Sequence, residues 1–260
     1  MKKRDIYISV LAILFFAILL SQDEIARYAW QKYRNASAAI FLTRDAKLAM
    51  SIGNYYFNGG AYDLDKAEFA YRAAVFLEPK ILWGHYQLAR IYFVKRDKEN
   101  ALEEINKELA ANPYNLRSLY VRGLIYGYWP DLPKAEEDFR RFTKWAPKEW
   151  AGYNDLAWIL AKEGKYEEVE KTIQTALEEV PQADKNPWLL NSLGVAQLNL
   201  KKYGDAKKTF ETTQILAKNL TLTEWSRAYP GNNSVETANG LKAFRRAVDF
   251  NLGKSRIELK

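Results

Sequence analysis

The side chains that most often carry out catalysis are sparse in this chain. Its 260 residues include one histidine, His85, and no cysteine, which excludes disulfides, thiolate metal ligands and a cysteine nucleophile. A role for His85 as a base or a metal ligand lacks the second histidine or the cysteine that such sites use. We therefore interpret His85 as a packing residue, and we predict no catalytic residue, no metal and no other cofactor.

Three of the acidic pairs in the chain are Glu103-Glu104, Glu136-Glu137 and Glu167-Glu168. Each pair is predicted to begin a helix, where a carboxylate interacts favourably with the positive end of the helix dipole. Acid–base chemistry is not needed to explain them. The phosphate-binding patterns G-x-x-x-x-G-K-[ST] and G-x-G-x-x-G are absent from the sequence. We expect a protein that is not an enzyme.

The net charge of +7 comes from the ends of the chain. Residues 48–218 hold 24 Lys and Arg and 24 Asp and Glu, so the middle of the chain is neutral. Nucleic-acid binding requires basic residues gathered along one face, and only the C-terminal tail offers them. Binding of nucleic acid or anionic lipid through Arg245 and Arg246 is therefore the least favoured of three candidate functions.

Proline recurs at a fixed interval in the middle of the chain. Pro79, Pro113, Pro147 and Pro181 stand 34 residues apart. Each follows an apolar stretch with helical periodicity, which a ring without an N–H group can end. This interval indicates stacked helix–turn–helix repeats. Positions within a repeat are numbered so that these prolines are position 32.

The residues between the prolines repeat in size. Small residues occupy positions 8 and 20, and large residues occupy positions 11 and 24. The small residues are Ala89, Gly123, Ala157, Ala101, Ala135 and Val169, and the large ones are Tyr92, Tyr126, Leu160, Ile105, Phe139 and Ile173. The small residues are predicted to let two helices approach closely while the large ones fill the space beside the contact. Two flanking segments fit with changes, the first with two extra residues in its turn and the last without the closing proline.

With this pattern the sequence resembles the tetratricopeptide repeat (TPR) family, which has Gly at position 8, Tyr at 11, Ala at 20, Phe at 24 and Pro at 32. The resemblance covers about two thirds of the chain. It implies an all-α fold, a right-handed α-solenoid of about five helix–turn–helix repeats. The array would span residues 43–218, with repeats at about 46–79, 82–113, 116–147, 150–181 and 187–218.

The resemblance also implies where a partner binds. In this family the first helix of each repeat lines a concave groove that holds a peptide or a partner helix. Carried onto this chain, the groove positions are Asn54, Trp83, Tyr86, Arg90, Arg117, Tyr120, Tyr128, Asn154, Trp158, Trp188 and Asn191. Aromatic, arginine and asparagine side chains suit an extended peptide with apolar side chains. The alternative is that part of this face packs against the chain's own ends.

A hydrophobic segment precedes the repeats. Residues 6–20 carry no charge and follow Lys2, Lys3 and Arg4, and their length lies between that of a signal-peptide core and that of a spanning helix. Because no A-x-A cleavage pattern follows, residues 1–22 are predicted to be an uncleaved signal anchor that enters the membrane through residues 6–20. The basic residues before it favour a cytoplasmic N terminus and extracytoplasmic repeats. A cytoplasmic repeat domain, or secretion after signal cleavage, is the alternative.

Two further segments flank the repeats. Residues 23–42 are predicted to be a linker or capping helix, with a helix over Asp23–Arg34 and a break of small residues at Asn35–Ala39. Residues 219–260 are predicted to be a C-terminal capping helix, formed by Ser234–Asn251, and a basic tail. The terminal units of a solenoid need a polar outer face, and this helix supplies one.

Two functions fit these features best. The first is a membrane-anchored scaffold or adaptor that binds a protein or peptide partner in its groove and helps to assemble an envelope complex. The second is a structural subunit that assembles with copies of itself. Size measurements separate them, because only the second predicts large, ordered oligomers without a partner.

Overall fold

The computed structural model describes residues 21–58, 61–228 and 234–258, and every regular element in them is a helix. The α-helices are α1 (21–33), α2 (Ala36–Leu42), α3 (Ala46–Phe57), α4 (Leu64–Leu77), α5 (Gly84–Val94), α6 (Lys98–Ala111), α7 (Leu116–Tyr128), α8 (Leu132–Trp145), α9 (Trp150–Lys162), α10 (Tyr166–Glu179), α11 (Pro187–Asn199), α12 (Tyr203–Asn219), α13 (Leu222–Ala228) and α14 (Ser234–Ile257). A short 3₁₀ helix, Ala183–Lys185, precedes α11. The predicted all-α class is confirmed over these residues.

The helices belong to two compact units that divide between Ala111 and Asn112. Unit 1 contains α1–α6, and unit 2 contains α7–α14. Consecutive helices pack in pairs: α3 with α4 and α5 with α6 in unit 1, and α7 with α8, α9 with α10 and α11 with α12 in unit 2. Each pair lies in one of the segments predicted as a repeat.

Local sequence signals explain where these helices begin and end. The side chains of Asp45, Asp63 and Asn115 accept hydrogen bonds from backbone N–H groups in the first turns of α3, α4 and α7. Asn186 does the same for α11, whose first residue is Pro187. Each of the four evenly spaced prolines stands two residues beyond the end of a second helix, where a proline prevents the helix from continuing.

A glycine and a large ring meet where the two helices of a pair come closest. A Cβ atom added to Gly53 would lie 2.5 Å from the Tyr71 ring, and one added to Gly194 would lie 2.7 Å from the Phe210 ring. Both rings are fully buried. These are positions 8 and 24 of their repeats, so the predicted small–large contact is confirmed.

One buried ion pair lies at position 7 of the third repeat, where the second and fourth repeats have Leu88 and Leu156. Arg122 occupies that position in α7, and its guanidinium donates two hydrogen bonds to the Asp138 carboxylate, from Nε to Oδ2 at 2.8 Å and from Nη2 to Oδ1 at 2.7 Å. Asp138 is 2 % exposed. The bidentate geometry offsets part of the cost of desolvating the two charges, although burial still raises the pKa of Asp138. The ion pair stands where the other repeats have apolar packing.

The predicted role of two acidic pairs was wrong. Because α6 begins at Lys98 and α8 at Leu132, Glu103-Glu104 and Glu136-Glu137 lie in second turns, away from the positive end of the dipole. Glu136 instead accepts hydrogen bonds from Arg140 at 2.6 Å and from Lys165 at 2.9 Å. Only Glu167-Glu168 lie in a first turn, that of α10.

Helix α1 packs against the first repeat. The Trp30 ring lies 5.2 Å from the Tyr55 ring of α3, measured between centroids. The Asp23 carboxylate accepts a 2.8 Å hydrogen bond from the Thr43 hydroxyl and a 2.6 Å bond from the Arg44 N–H group, and these bonds hold the pKa of Asp23 below its usual range. These contacts fix α1 to the start of α3.

The break predicted at Asn35–Ala39 was wrong. Ala36–Leu42 forms helix α2, because the Asn35 side chain caps it by accepting a 3.0 Å hydrogen bond from the Ala38 N–H group. The chain direction changes at Arg34 instead, where φ is 51°.

Nothing in the described part of the chain is a helix long and apolar enough to cross a bilayer. Apart from its last two residues, the predicted anchor at 1–22 lies outside the described residues.

The C-terminal helix α14 packs against α12 and α13. Arg245 of α14 donates hydrogen bonds to backbone carbonyl oxygens at the end of α12, from Nε to Ala217 at 2.9 Å and from Nη2 to Leu220 at 2.7 Å. A guanidinium in this place satisfies carbonyl groups that the end of a helix leaves without intrahelical partners. Arg245 is thus a packing residue of the fold.

We expect Gly194→Ala to lower the free energy of unfolding by about 1–2 kcal/mol, because overpacking against Phe210 costs about 1–3 kcal/mol and the gain in helix propensity is at most about 1 kcal/mol. Gly204 is the control, since it lies in α12 with no atom within 4 Å of an added Cβ. Gly204→Ala should raise the free energy of unfolding by about 0.5–1 kcal/mol. Urea unfolding measures both, and equal stability of the two variants would contradict the close-contact assignment.

Candidate functional site

The first helices of unit 2 present a row of polar and aromatic side chains. Helix α7 contacts α9, and α9 contacts α11, so side chains on these three helices meet. We call this surface the unit 2 wall and define it by Arg117, Tyr120, Tyr128, Asn154, Asp155, Trp158 and Asn191. All but Asp155 are positions that the TPR resemblance predicts for a partner groove.

A chain of hydrogen bonds crosses the unit 2 wall from helix to helix. The Tyr120 hydroxyl of α7 donates to Asp155 Oδ2 of α9. The neighbouring Asn154 donates from Nδ2 to Asp155 Oδ1 at 3.1 Å and accepts at Oδ1 from the Ser192 hydroxyl of α11, also at 3.1 Å. These bonds fix the orientation of the wall's polar groups before any partner binds.

Asp155 is the residue of this wall that the sequence prediction missed. Burial raises the pKa of Asp155 to about 6, against the lowering effect of the bonds from Tyr120 and Asn154. Among the residues that the structure covers, no lysine or arginine forms an ion pair with it. A carboxyl group whose pKa is raised by burial, beside a predicted groove asparagine, is a candidate functional group.

Two aromatic rings form the other part of the unit 2 wall. The Tyr128 and Trp158 rings lie 5.1 Å apart between centroids, and Tyr128 is 51 % exposed. The Lys162 ammonium lies 4.3 Å from the Trp158 centroid and donates a 2.9 Å hydrogen bond to the Gly127 carbonyl. This end of the wall is therefore a partly exposed aromatic surface against which the Lys162 side chain packs.

The remaining predicted wall residues differ in accessibility. Arg117 is exposed in the first turn of α7. Asn191 is half-buried on α11, and its Oδ1 atom meets no hydrogen-bond donor from the described residues.

Trp188 is not accessible, which corrects the prediction that its ring faces a partner. Its ring is stacked between Trp150 at 5.0 Å and Trp225 at 5.7 Å, and it is 9 % exposed. Phe244 of α14 lies 6.1 Å from the same ring. This end of the face packs against the chain's own C-terminal helices, as the alternative interpretation proposed.

In unit 1, Arg90 and Asn54 belong to one hydrogen-bonded cluster. The Arg90 guanidinium lies 4.5 Å from the Phe57 centroid and donates to Gln87 Oε1 at 2.7 Å. Asn54 Oδ1 accepts from the Tyr71 hydroxyl at 2.8 Å and from Gln87 Nε2 at 3.2 Å. Both predicted groove residues therefore also stabilise the helix pairs, a role that their positions in the repeat do not reveal.

The other two predicted residues of unit 1 lie together at the start of α5. Trp83 caps this helix with φ at 70°, in the left-handed region, and its ring lies 5.3 Å from the Tyr86 ring. Both side chains are half-buried, so they form a smaller aromatic surface.

His85, the only histidine, is part of an ion pair. Its Nδ1 lies 2.6 Å from Glu104 Oε2, and its Nε2 lies 3.2 Å from the Pro79 carbonyl oxygen. Two acceptors around the ring favour the protonated form and raise the pKa of His85, the Glu104 bond having the larger effect. The contact with Glu104 joins α5 to α6, so His85 has a structural role there. No group of three or more His, Asp or Glu within the described ranges could hold a metal ion.

Comparison with known proteins identifies the fold. No family model matches the sequence. Solved structures that resemble it include a tetratricopeptide repeat protein from Parabacteroides merdae (18% identity, TM-score 0.58, 92% of this chain and 99% of that one). YrrB, a TPR protein with an unusual peptide-binding site, matches with 18% identity and TM-score 0.56 over 71% of this chain and 93% of its own. PilW, a type IV pilus biogenesis factor, matches with 15% identity and TM-score 0.59 over 83% and 98%. The chain has the TPR fold.

We expect the charge of Asp155 to cost stability at neutral pH. Its pKa in the folded protein, about 6, lies above the value near 3.8 for an unperturbed carboxyl, so its contribution is most favourable below pH 4 and is lost as the pH rises through 6. The stability of Asp155→Asn relative to the wild type should therefore rise by about 1–2 kcal/mol between pH 4 and pH 8, a figure reduced because the residue is partly exposed. The comparison between the two pH values cancels the bond that asparagine loses, since its amide cannot accept from both Tyr120 and Asn154. Urea unfolding at pH 4 and pH 8 tests this, and a difference that is the same at both pH values would contradict it.

Proposed function

We propose that this protein is a membrane-anchored TPR scaffold that binds a peptide or protein segment on its first helices and helps to assemble an envelope complex. The observation that carries this proposal is the unit 2 wall. Tyr128 and Arg117 are exposed there beside polar side chains whose orientation is already fixed. Preorganised polar groups with aromatic rings give a peptide large contact area at low entropic cost.

The comparisons support a binding role. YrrB has the same fold and a peptide-binding site, and PilW has the same fold and acts in type IV pilus biogenesis. The proposal needs no catalysis, because a TPR surface acts by holding its partner. A second candidate contact surface in unit 1 consists of the half-buried residues Trp83, Tyr86 and Arg90.

Membrane attachment is proposed from the sequence of residues 1–22. Their uncharged stretch at 6–20 follows three basic residues, which favours a single pass with a cytoplasmic N terminus and an extracytoplasmic repeat domain. An anchor would raise the effective concentration of the repeats near other membrane proteins, so a weak contact with the wall would suffice. Secretion after signal cleavage is the alternative for this part of the proposal.

Self-assembly is the second candidate function, and exposed apolar residues on α4 favour it. Phe69 is 50 % exposed and Phe76 is 85 % exposed, and their spacing of seven places them on the same side of the helix. Phe41 of α2 is 87 % exposed. Large exposed apolar surfaces mark interaction sites, and a copy of the same chain is one partner that could cover them.

Binding of anionic lipid or nucleic acid through the tail is the third candidate. The Arg245 guanidinium is occupied by the end of α12, whereas Arg246 and Lys242 of the same helix are exposed. Because one of the two arginines predicted for this role packs within the fold, we rank this function last.

The adaptor proposal predicts that Tyr128→Ala lowers recovery of a specific partner about 5- to 30-fold, since removing an interface aromatic typically costs about 1–2 kcal/mol or more. The measurement is a crosslinking pull-down from membranes with the full-length chain. Tyr114→Ala is the matched control, because Tyr114 is also exposed, at 77 %, but lies before α7.

Three outcomes are informative. Loss of the partner in Tyr128→Ala but not in Tyr114→Ala supports the adaptor. Equal recovery in both variants contradicts a contact at the unit 2 wall. Recovery of the protein alone, in large oligomers that Phe76→Ala disrupts, favours the self-assembling subunit.

A further inference from the structure

The carboxylates of unit 2 differ in whether a basic side chain accompanies them. Asp138 is paired with Arg122, Glu136 with Arg140 and Lys165, and Glu170 with Lys202. Pairing of this kind is the usual way to keep a part-buried charge stable. Asp155 is half-buried and, within the described residues, takes part in no ion pair. It is the exception in a unit where other part-buried acids are paired.

The neighbours of Asp155 orient its carboxyl group without neutralising it. The Tyr120 hydroxyl donates to one oxygen and the Asn154 amide to the other. A carboxylate has about four acceptor positions, so each oxygen keeps capacity for another hydrogen-bond donor. Both donors are uncharged, and the negative charge itself remains uncompensated.

A second acceptor without a donor lies on the next helix of the unit 2 wall. Asn191 Oδ1 is buried and finds no hydrogen-bond donor in the described part of the chain. Asn191 precedes Ser192, whose hydroxyl is bonded to Asn154, the neighbour of Asp155. Because Asn191 Oδ1 is buried and Asp155 is only half-buried, the carboxylate is the acceptor of the two that a partner can reach.

From these contacts we infer that Asp155 binds the basic side chain of a lysine or arginine in an extended partner peptide. An ammonium group brings three donors and a guanidinium five, and neither brings an acceptor. Such a ligand supplies the missing charge and the missing donors together. This inference rests on the proposed function, and it specifies the chemistry of the partner at that site.

The carboxyl's pKa of about 6 agrees with this assignment. At neutral pH the group is mostly ionised at a cost in stability, and a cationic ligand would remove that cost by pairing with it. The free energy lost by leaving Asp155 unpaired is thereby recovered on binding.

A random 12-residue peptide library displayed on phage is the probe. It would be panned against the full-length chain in mild detergent, with Asp155→Asn tested in parallel. This substitution removes the charge but keeps an oxygen that accepts from Tyr120, so the variant is expected to fold, which circular dichroism checks. Asp184→Asn is the matched control, because Asp184 is an exposed acid of the same unit.

We expect the peptides selected by the wild type to share a lysine or arginine at one position. Replacing that residue by alanine should weaken binding about tenfold to a hundredfold, as expected for a hydrogen bond to a charged group. Asp155→Asn should weaken the parent peptide to the same extent and should not further weaken the alanine peptide. Asp184→Asn should leave binding of the parent peptide unchanged.

Other results would overturn the inference. Selected peptides without a shared basic residue, or peptides that bind Asp155→Asn as well as they bind the wild type, would remove Asp155 from recognition while leaving peptide binding by the wall intact. A library that yields no binder at all would contradict both the peptide-binding function and this assignment.

Discussion

The fold depends on the close contact between a small residue in the first helix of each repeat and a large residue in the second. Where the small residue is Gly53 or Gly194, a ring from the partner helix lies against the backbone at a distance that leaves no room for a Cβ atom. The rings that make these contacts are fully buried, so each contact contributes apolar burial as well as geometry. This contact sets how closely the two helices of a pair pack, and with it which side of the first helix remains available.

In unit 2, the side of the first helices that is not packed against second helices carries the hydrogen-bonded polar side chains of the unit 2 wall. In unit 2 the bonds from Tyr120 to Asp155 and from Ser192 to Asn154 run between successive first helices. Such bonds rigidify the unit 2 wall. They leave part of the hydrogen-bonding capacity of the Asp155 carboxylate unused. Asp155 has no counter-charge among the described residues, and the proposed basic ligand would supply one.

Much of the fold could be predicted from the sequence because its repeat encodes it redundantly. The prolines and the capping residues indicate the same helix boundaries, and the small–large alternation indicates which helices pack together. These signals are consistent with a single arrangement of helices. The break at Asn35–Ala39 was mispredicted because a single cap, Asn35, outweighs the poor local signal of a short helix packed on its neighbours. Arg122 and Asp138 could not be foreseen, since only the folded pair reveals that a charge at an apolar position is matched.

The site was predictable only in part. Position in the repeat predicts that Tyr120, Asn154 and Trp158 face the groove, but accessibility depends on what the rest of the chain covers. The Trp188 ring is covered by Trp225 and Phe244, which belong to helices outside the five predicted repeats. Asp155 was not predicted because family positions select residues by the direction they face. What distinguishes Asp155 is a part-buried carboxylate without an ion pair among the described residues, and this is visible only in the folded protein.

Site-specific photo-crosslinking in cells tests the central claim, that a partner binds the unit 2 wall, most directly. A benzophenone amino acid would replace Arg117 or Tyr128 on the wall, and Gln174 or Thr212 on the exposed sides of second helices. The account predicts that both wall positions crosslink to the same partner protein and that neither second-helix position does. Crosslinks that form only from the second helices, or only between copies of this chain, would contradict it.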